Sequence, residues 1–243
     1  MIVLFTDFGV TRLYTGQVKA VFARNARGVP VVDLLDDVPA YRIQGAAYLL
    51  AALAEAFPPG TVFFSVVDPG VGGARLPVVV RAQRQWFVGP DNGLFDLVLR
   101  RSERPRAWRI TWTPPRLSAT FHGRDLFAPV AAALAQGRAV PGVECDVGAL
   151  RRPEWPDDLA EVIYVDGYGN AITGLRPAAL PAGAGLSVDG IRILRARTFS
   201  DVPQGTFLCY ENANGLIEIA ANQGRAANAL ALEPGSAVVI EQV

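Results

Sequence analysis

Hydrophobic and polar residues follow two different patterns along the first 140 residues. Short runs rich in β-branched and aromatic residues predict strands at residues 2–5, 30–35, 61–67, 76–82 and 107–112. Alanine- and leucine-rich segments of helical period predict helices at residues 13–26, 40–57 and 125–137. Strands that alternate with helices are typical of a largely parallel sheet covered on both faces. We therefore predict an α/β fold with a mostly parallel sheet for this part of the chain.

The pattern changes after RRPEWPDDL at residues 151–159, a segment of prolines and charges that is typical of a linker. Beyond it, runs such as EVIYVDGYGNAITGL and SAVVIEQV predict strands around glycine and asparagine turns, with almost no helical period. The predicted organisation is an α/β domain at residues 1–150, the linker, and a small all-β barrel domain at residues 160–243.

The number and position of charged residues exclude some classes of binding partner. The 243 residues include 23 acidic and 23 basic side chains, so no global field favours nucleic acid or an anionic membrane. Lys19 is the only lysine, and it follows no glycine-rich stretch, which excludes a Walker phosphate loop. Arginines interleaved with tryptophans between residues 100 and 112 are compatible with RNA binding. Because the net charge is zero, we interpret that run as a solvated surface.

The expected location is the cytoplasm. The N-terminus MIVLFTDFG has no basic region before its apolar run, and it predicts a strand rather than a signal peptide. The apolar stretch at residues 45–57 is too short to span a bilayer. Cys145 and Cys209 lack metal-like spacing and predict two buried free thiols. We expect neither a metal nor a cofactor.

Polar clusters follow the predicted strands, at the edge where parallel sheets bind ligands. TDFG places Asp7 after the first strand, where a carboxylate can accept hydrogen bonds from a ribose diol or cap a helix. In VVDPGVGGAR, Asp68 and Arg75 can form a functional pair or simply hold a turn together. His122, the only histidine, precedes a helix in TFHGRDLFAP, and a helix N-terminus would keep its imidazole neutral. Each cluster alone has an ordinary structural explanation.

Together, and in this order, the clusters are more specific. TDFG, VVDPGVGGAR, GPDNGLF, TFHGRDLFAP, VDGYGNAIT and NGLIEIAANQG resemble the S-adenosylmethionine hydrolase family, also called SAM hydroxide adenosyltransferases, which is related to fluorinating and chlorinating enzymes. The resemblance implies hydrolysis of S-adenosyl-L-methionine to adenosine and L-methionine, by in-line attack of water on C5′. It also implies an N-terminal α/β domain, a C-terminal β-barrel, and a homotrimer. Each active site would lie between one subunit's N-terminal domain and its neighbour's C-terminal domain.

The resemblance assigns roles to residues of the N-terminal half. The family's catalytic Asp, Arg and His fall on Asp68, Arg75 and His122, and its ribose-binding carboxylate falls on Asp7. Arg12 stands where the family usually has an aspartate. The chemistry suits these residues, because methionine leaves as a neutral thioether and the reaction needs an activated water more than a general acid.

The resemblance also assigns roles beyond the linker. Asp166 matches a residue that holds the methionine end, Asn170 one that hydrogen-bonds adenine, and Phe199 an aromatic that stacks on the base. The backbone from Ala213 to Gln223 resembles the rest of the adenine pocket, although Ala213 stands where the family often has serine. Two alternatives stay open: a halogenase-like enzyme, which would not need the three catalytic residues, and a non-catalytic nucleoside-binding protein.

Overall fold

A computed structural model describes residues 1–241 of the chain. Gln242 and Val243, which end the predicted strand SAVVIEQV, lie outside the described residues. The chain forms two compact units. The first contains Met1–Ile43 and Phe57–Arg152, and the second contains Gln44–Ala56 and the residues from Pro153 onward.

The first unit is built on a seven-stranded sheet in the spatial order β2-β1-β3-β5-β4-β6-β7. Its strands are β1 (Ile2–Thr6), β2 (Val31–Leu35), β3 (Val62–Val66), β4 (Pro77–Ala82), β5 (Gln85–Pro90), β6 (Arg106–Ile110) and β7 (Gly142–Cys145). The helices are α1 (Leu13–Asn25), α3 (Asp96–Arg100) and α4 (Ala128–Ala135), and a π-helical turn, Gly123–Phe127, leads into α4. Every strand predicted in this part of the sequence is present.

This sheet is mixed, so the prediction of a mostly parallel sheet was wrong. Three pairs, β1 with β2, β1 with β3 and β3 with β5, are parallel, whereas β4 with β5, β4 with β6 and β6 with β7 are antiparallel. The direction changes at the two-residue loop Gln83–Arg84, where both residues have positive φ, 51° and 65°. Hairpin loops of this kind are usually signalled by asparagine or aspartate followed by glycine, and Gln-Arg gives no such signal.

The core of the first unit explains where its loops converge. All five residues of β1 and of β3 are buried, as expected of central strands covered on both faces. On one face of the sheet, Leu4 and Phe64 pack in a cluster with Val18 and Phe22 of α1 and Val130 of α4. Because β1, β3 and β5 are parallel neighbours, the polar loops that follow them meet at one edge of the sheet.

The second unit has a seven-stranded sheet in the order β14-β10-β11-β12-β13-β9-β8. Its strands are β8 (Leu159–Val165), β9 (Ala171–Gly174), β10 (Gly185–Val188), β11 (Ile191–Arg195), β12 (Phe207–Glu211), β13 (Ile217–Ala221) and β14 (Val239–Glu241). The sheet curls strongly, since the residues just before β14 bond to β8 at the opposite edge. Val162 N donates to the Ser236 carbonyl at 2.8 Å, and Val238 N donates to the Ala160 carbonyl at 3.0 Å.

The second unit is not all-β, which corrects the fold predicted for the C-terminal part. It contains nearly all of α2 (Ile43–Ala54), the short α5 (Ala226–Ala229) and 3₁₀ turns, one of them at Phe199–Asp201. The hydroxyl of Tyr48 on α2 donates to the carbonyl of Pro156, which ties the helix to the start of this unit's second segment. Periodicity found α2, but nothing in its sequence shows with which unit it packs.

Two smaller predictions concern the cysteines and the membrane. Cys145 and Cys209 are both free thiols, as predicted, but only Cys209 is buried, and Cys145 is half-exposed on β7. In the part of the chain that the structure describes, no helix has both the length and the apolar character needed to cross a membrane.

Candidate active site

A cleft with a volume of about 690 Å³ opens in the first unit, beside the carboxyl ends of β1 and β3. Asp7, Asp68 and His122 line it. Thr6 of β1 is paired with Val66 of β3, so Asp7 and Asp68 leave neighbouring parallel strands almost side by side. Ligands of open α/β sheets bind at this edge. The structure therefore brings together three of the four residues predicted in the N-terminal half, and the fourth, Arg75, contacts two of them.

Arg75 and Asp68 form a buried ion pair. The guanidinium Nε lies 3.0 Å from both carboxylate oxygens of Asp68, and Nη2 lies 2.5 Å from Oδ2. Only 9% of the Arg75 side chain and 5% of the Asp68 side chain are exposed, so water contributes little to solvating either charge. The guanidinium also lies over the ring of Phe127, 5.3 Å from its centroid. These contacts fix the orientation of Arg75 from two sides.

Arg75 also contacts His122, and the chemistry of the contact determines the state of the imidazole. Arg75 Nη2 lies 2.9 Å from His122 Nδ1. A guanidinium can only donate hydrogen bonds, so Nδ1 must accept one and carries no proton. His122 is therefore neutral, with its proton on Nε2. The three residues form the series Asp68–Arg75–His122, in which arginine separates the carboxylate from the histidine.

The electrostatics of the cleft agree with a neutral histidine. Burial lowers the pKa of His122, the positive charge of Arg75 lowers it further, and the carboxylates of Asp68 and Asp125 offset part of this. The prediction of a neutral imidazole agrees with this shift. However, the main causes are burial and Arg75 rather than the helix N-terminus that the sequence suggested.

Asp7 is shifted in the opposite direction. Burial raises the pKa of Asp7 to about 6, the nearby charge of Asp68 adds to the increase, and backbone hydrogen bonds reduce it. Two carboxylates that share one cleft disfavour each other's ionisation. The cleft therefore holds one aspartate that is fixed in an ion pair and one whose charge changes close to neutral pH.

The loop that carries His122 is held by its own polar residues. Asp125 accepts a hydrogen bond from Ser118 N at 2.9 Å and from Arg124 Nε at 2.6 Å. The loop that carries Asp68 and Arg75 packs against it at Gly72, where a Cβ would lie 2.5 Å from the carbonyl oxygen of Ala119. Only glycine allows this close approach. Both loops are therefore positioned by local contacts before any ligand binds.

Aromatic residues that the sequence analysis did not assign form one wall of the cleft. Phe8, Tyr14 and Phe121 line it, and their ring centroids lie 5.2 to 6.0 Å apart. Arg124 lies over the Phe121 ring at 5.1 Å and donates to Gln17 Oε1 at 2.9 Å. The sequence did contain a sign of this wall, since Phe8 and Phe121 lie inside the motifs TDFG and TFHGRD. The sequence analysis assigned roles only to the polar residues of those motifs.

A second cavity, of about 890 Å³, lies in the second unit. The predicted residues of the C-terminal half, Asp166, Asn170, Phe199 and Ala213, all line it. They come from three separate loops, and only the curled sheet brings them together.

Asp166 and Asn170 belong to one tight turn. Asp166 Oδ1 accepts hydrogen bonds from the backbone N–H groups of Tyr168 and Asn170, each at 2.9 Å. Asp166 Oδ2 lies 3.2 Å from Asn170 Nδ2, which donates to it. The amide of Asn170 is therefore oriented by Asp166, which leaves its carbonyl oxygen available as an acceptor. Asp166 itself is occupied mainly in holding this turn.

A buried glutamate in the same cavity was missed by sequence reasoning. Glu218 on β13 is 5% exposed and lines the cavity. It accepts hydrogen bonds from the Tyr210 hydroxyl at 2.5 Å and from Asn212 Nδ2 at 2.9 Å. The Tyr210 ring meets Phe199 at 5.2 Å in an edge contact. Burial, donation to Glu218, and the charges of Glu218 and Asp166 raise the pKa of Tyr210. In the sequence, the sign of a buried glutamate was that Glu218 is the single charged residue inside the apolar run LIEIAA.

Among residues 1–241, no group of three or more histidine, cysteine, aspartate and glutamate side chains is placed to hold a metal ion. A buried Asp–Arg ion pair in contact with a neutral histidine, beside a cleft at the strand ends, is typical of an enzyme site.

Comparison with known proteins assigns the family. The model of the SAM hydroxide adenosyltransferase N-terminal domain matches residues 2–144, and that of the C-terminal domain matches residues 160–239. A protein from Thermus thermophilus, named (R)-S-adenosyl-L-methionine hydrolase, is 42% identical over 253 residues, covering 96% of each chain. A crystal structure of an uncharacterized conserved protein from Thermotoga maritima matches with a TM-score of 0.85 and 32% identity over 99% of each chain.

The relationship to halogenating enzymes is more distant. A fluorinase from Actinopolyspora mzabensis is 25% identical over 286 residues, covering 98% of this chain and 96% of the fluorinase. The chain belongs to the SAM hydroxide adenosyltransferase family, and the family predicted from the sequence motifs is confirmed.

Proposed function

We propose that this protein hydrolyses (R)-S-adenosyl-L-methionine to adenosine and L-methionine by attack of water on C5′. One observation carries the proposal: Asp7, Asp68 and His122 line a single cleft, and Arg75 links Asp68 to His122, in a chain of this family. The substrate, including its configuration at sulfur, comes from the name of the relative that is 42% identical.

The residues of the cleft suit this reaction. The sulfonium leaves as neutral methionine, so no general acid is needed, but water with a pKa of about 15.7 is a weak nucleophile. We propose that His122 Nε2–H donates to the oxygen of the attacking water and orients it towards C5′. The charge of Arg75 would stabilise the hydroxide character that develops as the proton leaves.

The contacts within the series support a carboxylate, rather than His122, as the group that takes the proton. The Nδ1 lone pair of His122 is occupied by Arg75, and Nε2 already carries a proton, so neutral His122 has no free lone pair. The carboxylates of Asp7 and Asp68 remain as acceptors in the cleft. Asp68 already accepts three short contacts from Arg75, whereas Asp7 has a pKa of about 6, closer to that of an effective base at neutral pH.

The cavity of the second unit suits the rest of the substrate. We propose that the Asn170 carbonyl oxygen accepts from the adenine amine and that Phe199 stacks on the base. Asp166 and Glu218 give the cavity two carboxylates, and Glu218 is buried. A buried carboxylate favours a cationic partner, so we assign the methionine ammonium to Glu218, with Asp166 fixing the turn beside it. Ala213 would contribute only its backbone.

We further propose that the active protein is a homotrimer, in which the cleft of one subunit and the C-terminal cavity of its neighbour form one site. The support is chemical. The cleft carries the residues that we assign to the ribose and the attacking water, and the cavity of the second unit carries the residues that we assign to the base and the methionine. The functional division is proposed as residues 1–150, a linker at 151–159, and residues 160–243. We also propose that the enzyme acts in the cytoplasm.

The test uses the two sulfonium epimers of S-adenosyl-L-methionine separately, with and without chloride, and identifies the released nucleoside by chromatography and mass spectrometry. We expect adenosine and methionine, faster turnover of the (R) epimer, and no effect of chloride or excess chelator. A 5′-chlorinated nucleoside would indicate a halogenase. Tight binding of adenosine without turnover of either epimer would indicate a nucleoside-binding protein.

A further inference from the structure

A second recess in the first unit lies at the far ends of α1 and α4. Its volume is about 690 Å³, and its rim carries Arg24, Arg27 and Arg138 around Trp112. Helix α1 begins beside the cleft, at Leu13, and ends at the recess, at Asn25. A 13-residue helix is roughly 20 Å long, so the recess and the cleft lie at opposite ends of the helix.

The recess is strongly basic for a chain with no net charge. None of the residues that line it is acidic. Arg24, Arg27 and Arg138 form no salt bridge with any carboxylate of residues 1–241. The guanidinium of Arg138 donates to the amide oxygen of Gln136, which is a neutral partner. The three arginines therefore offer three positive charges that a bound anion would pair with.

The backbone that carries these arginines is already ordered. Gly137 N donates to the Leu134 carbonyl at 2.8 Å, and Arg138 N donates to the Ala133 carbonyl at 3.0 Å. This is a Schellman motif, which fixes where Arg138 leaves the end of α4. Arg27 follows α1 in a turn closed by a 3.1 Å hydrogen bond from Val29 N to the Ala26 carbonyl. An ordered backbone lowers the entropic cost of binding an anion.

Trp112 adds an aromatic surface to the recess. Trp112 is 39% exposed, and its backbone N–H donates to the Pro141 carbonyl at 3.2 Å. Trp86 and Trp108 each contact an aromatic ring and an arginine, whereas Trp112 has no such contact among the described residues. An exposed indole beside arginines suits a ligand with both a stacking base and phosphates.

We infer that this recess binds a nucleoside polyphosphate, with its phosphates on Arg24, Arg27 and Arg138 and its base on Trp112. The volume falls in the range of small-molecule sites, which favours a single nucleotide over an RNA strand. The helix C-termini nearby also attract arginines, but that attraction explains neither the tryptophan nor the recess. This inference does not depend on the proposed hydrolase activity.

The test measures GTP binding to the full chain by isothermal titration calorimetry, in excess adenosine so that the proposed active site is occupied. GTP is chosen because guanine is not the base of the proposed substrate. We expect saturable binding that falls by roughly tenfold or more in the double variant Arg27→Gln/Arg138→Gln, because charge-assisted hydrogen bonds are lost. Trp112→Leu should weaken GTP binding but leave binding of inorganic tripolyphosphate unchanged. Arg104→Gln, an exposed arginine outside the recess, is the matched control.

Three results would overturn the inference. The first is that GTP does not bind, or that it binds equally tightly to the wild type and to the folded double variant. The second is that tripolyphosphate binds as tightly as GTP, because Trp112 would then have no role. The third is that a single-stranded RNA oligomer binds through these arginines while GTP does not. The melting temperatures of all variants show whether the arginines act only on stability. In that case the double variant melts at a lower temperature than the wild type, while its affinity for GTP is the same.

Discussion

The guanidinium Nη2 of Arg75 lies 2.9 Å from Nδ1 of His122, while the same nitrogen lies 2.5 Å from Oδ2 of Asp68. One arginine therefore neutralises the carboxylate and assigns the tautomer of the histidine. A direct aspartate–histidine contact would have the opposite effect, because a carboxylate accepts a hydrogen bond from Nδ1–H and leaves the Nε2 lone pair free to act as a base. In this cleft His122 is arranged to donate from Nε2.

The tautomer can be measured directly, because His122 is the only histidine in the chain. Uniform ¹⁵N labelling should give one imidazole spin system, with an unprotonated, pyridine-like Nδ1 and a protonated, pyrrole-like Nε2. Titration should show protonation below the ordinary histidine pKa of about 6.5, since burial and Arg75 lower it. In Arg75→Gln the pKa should rise. A pyrrole-like Nδ1 in the wild type would refute the assignment.

Removing the histidine tests its role in the reaction. His122→Ala should lower kcat by a factor of about 10² to 10³, the usual cost of losing one preorganised hydrogen-bond donor, because the attacking water is no longer oriented, and it should leave KM nearly unchanged. The other residues of the cleft and cavity would still hold the ribose, base and methionine. Steady-state and single-turnover kinetics measure both quantities.

A purely structural histidine would give a different result. His122→Asn keeps a polar group of similar position, and if His122 only fills space the variant should keep its kcat and lose thermal stability. Asp68→Ala is a poor control for this purpose. It leaves the Arg75 charge buried and unpaired, which costs about 3 to 5 kcal/mol of stability and confuses folding with catalysis.

The raised pKa of Asp7 predicts that both activity and stability depend on pH. The carboxylate of Asp7 must be ionised both to take the proton of the attacking water and to accept from the ribose hydroxyls, so kcat/KM should fall as the pH drops through about 6. Asp7→Asn should be less active, and that part of its pH profile should be flat. Stability should change in the opposite sense. The folded-state pKa is raised, so the favourable contribution is present below the unfolded pKa of about 3.9 and is lost as the pH rises through about 6.

Asp7→Asn should therefore melt at a higher temperature than wild type at pH 8, and the difference should disappear at pH 4. Thermal melts at both pH values measure this. Equal melting temperatures at pH 8 would show that burial does not raise the pKa of this carboxyl, whatever the activity profile.

Mixed subunits test whether two chains build one site. A trimer prepared from Asp7→Ala and Asn170→Ala chains contains some interfaces with both halves intact, so the mixture should regain part of the wild-type activity. Each variant alone should have little. Mixtures refolded together and assayed beside mixtures combined after folding control for subunit exchange. No recovery at any ratio would mean that each site forms within a single chain.

The elements that sequence predicted well are those whose pattern is local. The buried run around Leu4 and the periodic helix around Phe22 are determined by their own residues, and both are present as predicted. The mixed sheet depends on the loop Gln83–Arg84. Both residues have positive φ angles, which neither glutamine nor arginine predicts. Helix α2 was found by periodicity, but its packing with the second unit depends on contacts distant in sequence, such as that of Tyr48 with Pro156.

The candidate site shows the same limit. Motif resemblance located Asp7, Asp68 and His122, and the structure gathers them in one cleft. The order of the contacts, with Arg75 between carboxylate and histidine, is a property of three-dimensional geometry that spacing does not reveal. Glu218 was missed because in a strand it resembles an ordinary surface charge, and only the curled sheet shows that it is buried.

The most direct test of the proposed reaction follows the oxygen atom. The enzyme is incubated with (R)-S-adenosyl-L-methionine in H₂¹⁸O, and the products are analysed by mass spectrometry, with His122→Ala as the matched control. Attack of water on C5′ predicts one ¹⁸O atom in the 5′-hydroxyl of adenosine, none in methionine, and much slower labelling in the variant. Label in the methionine-derived product, release of free adenine, or equal rates for both proteins would contradict the mechanism.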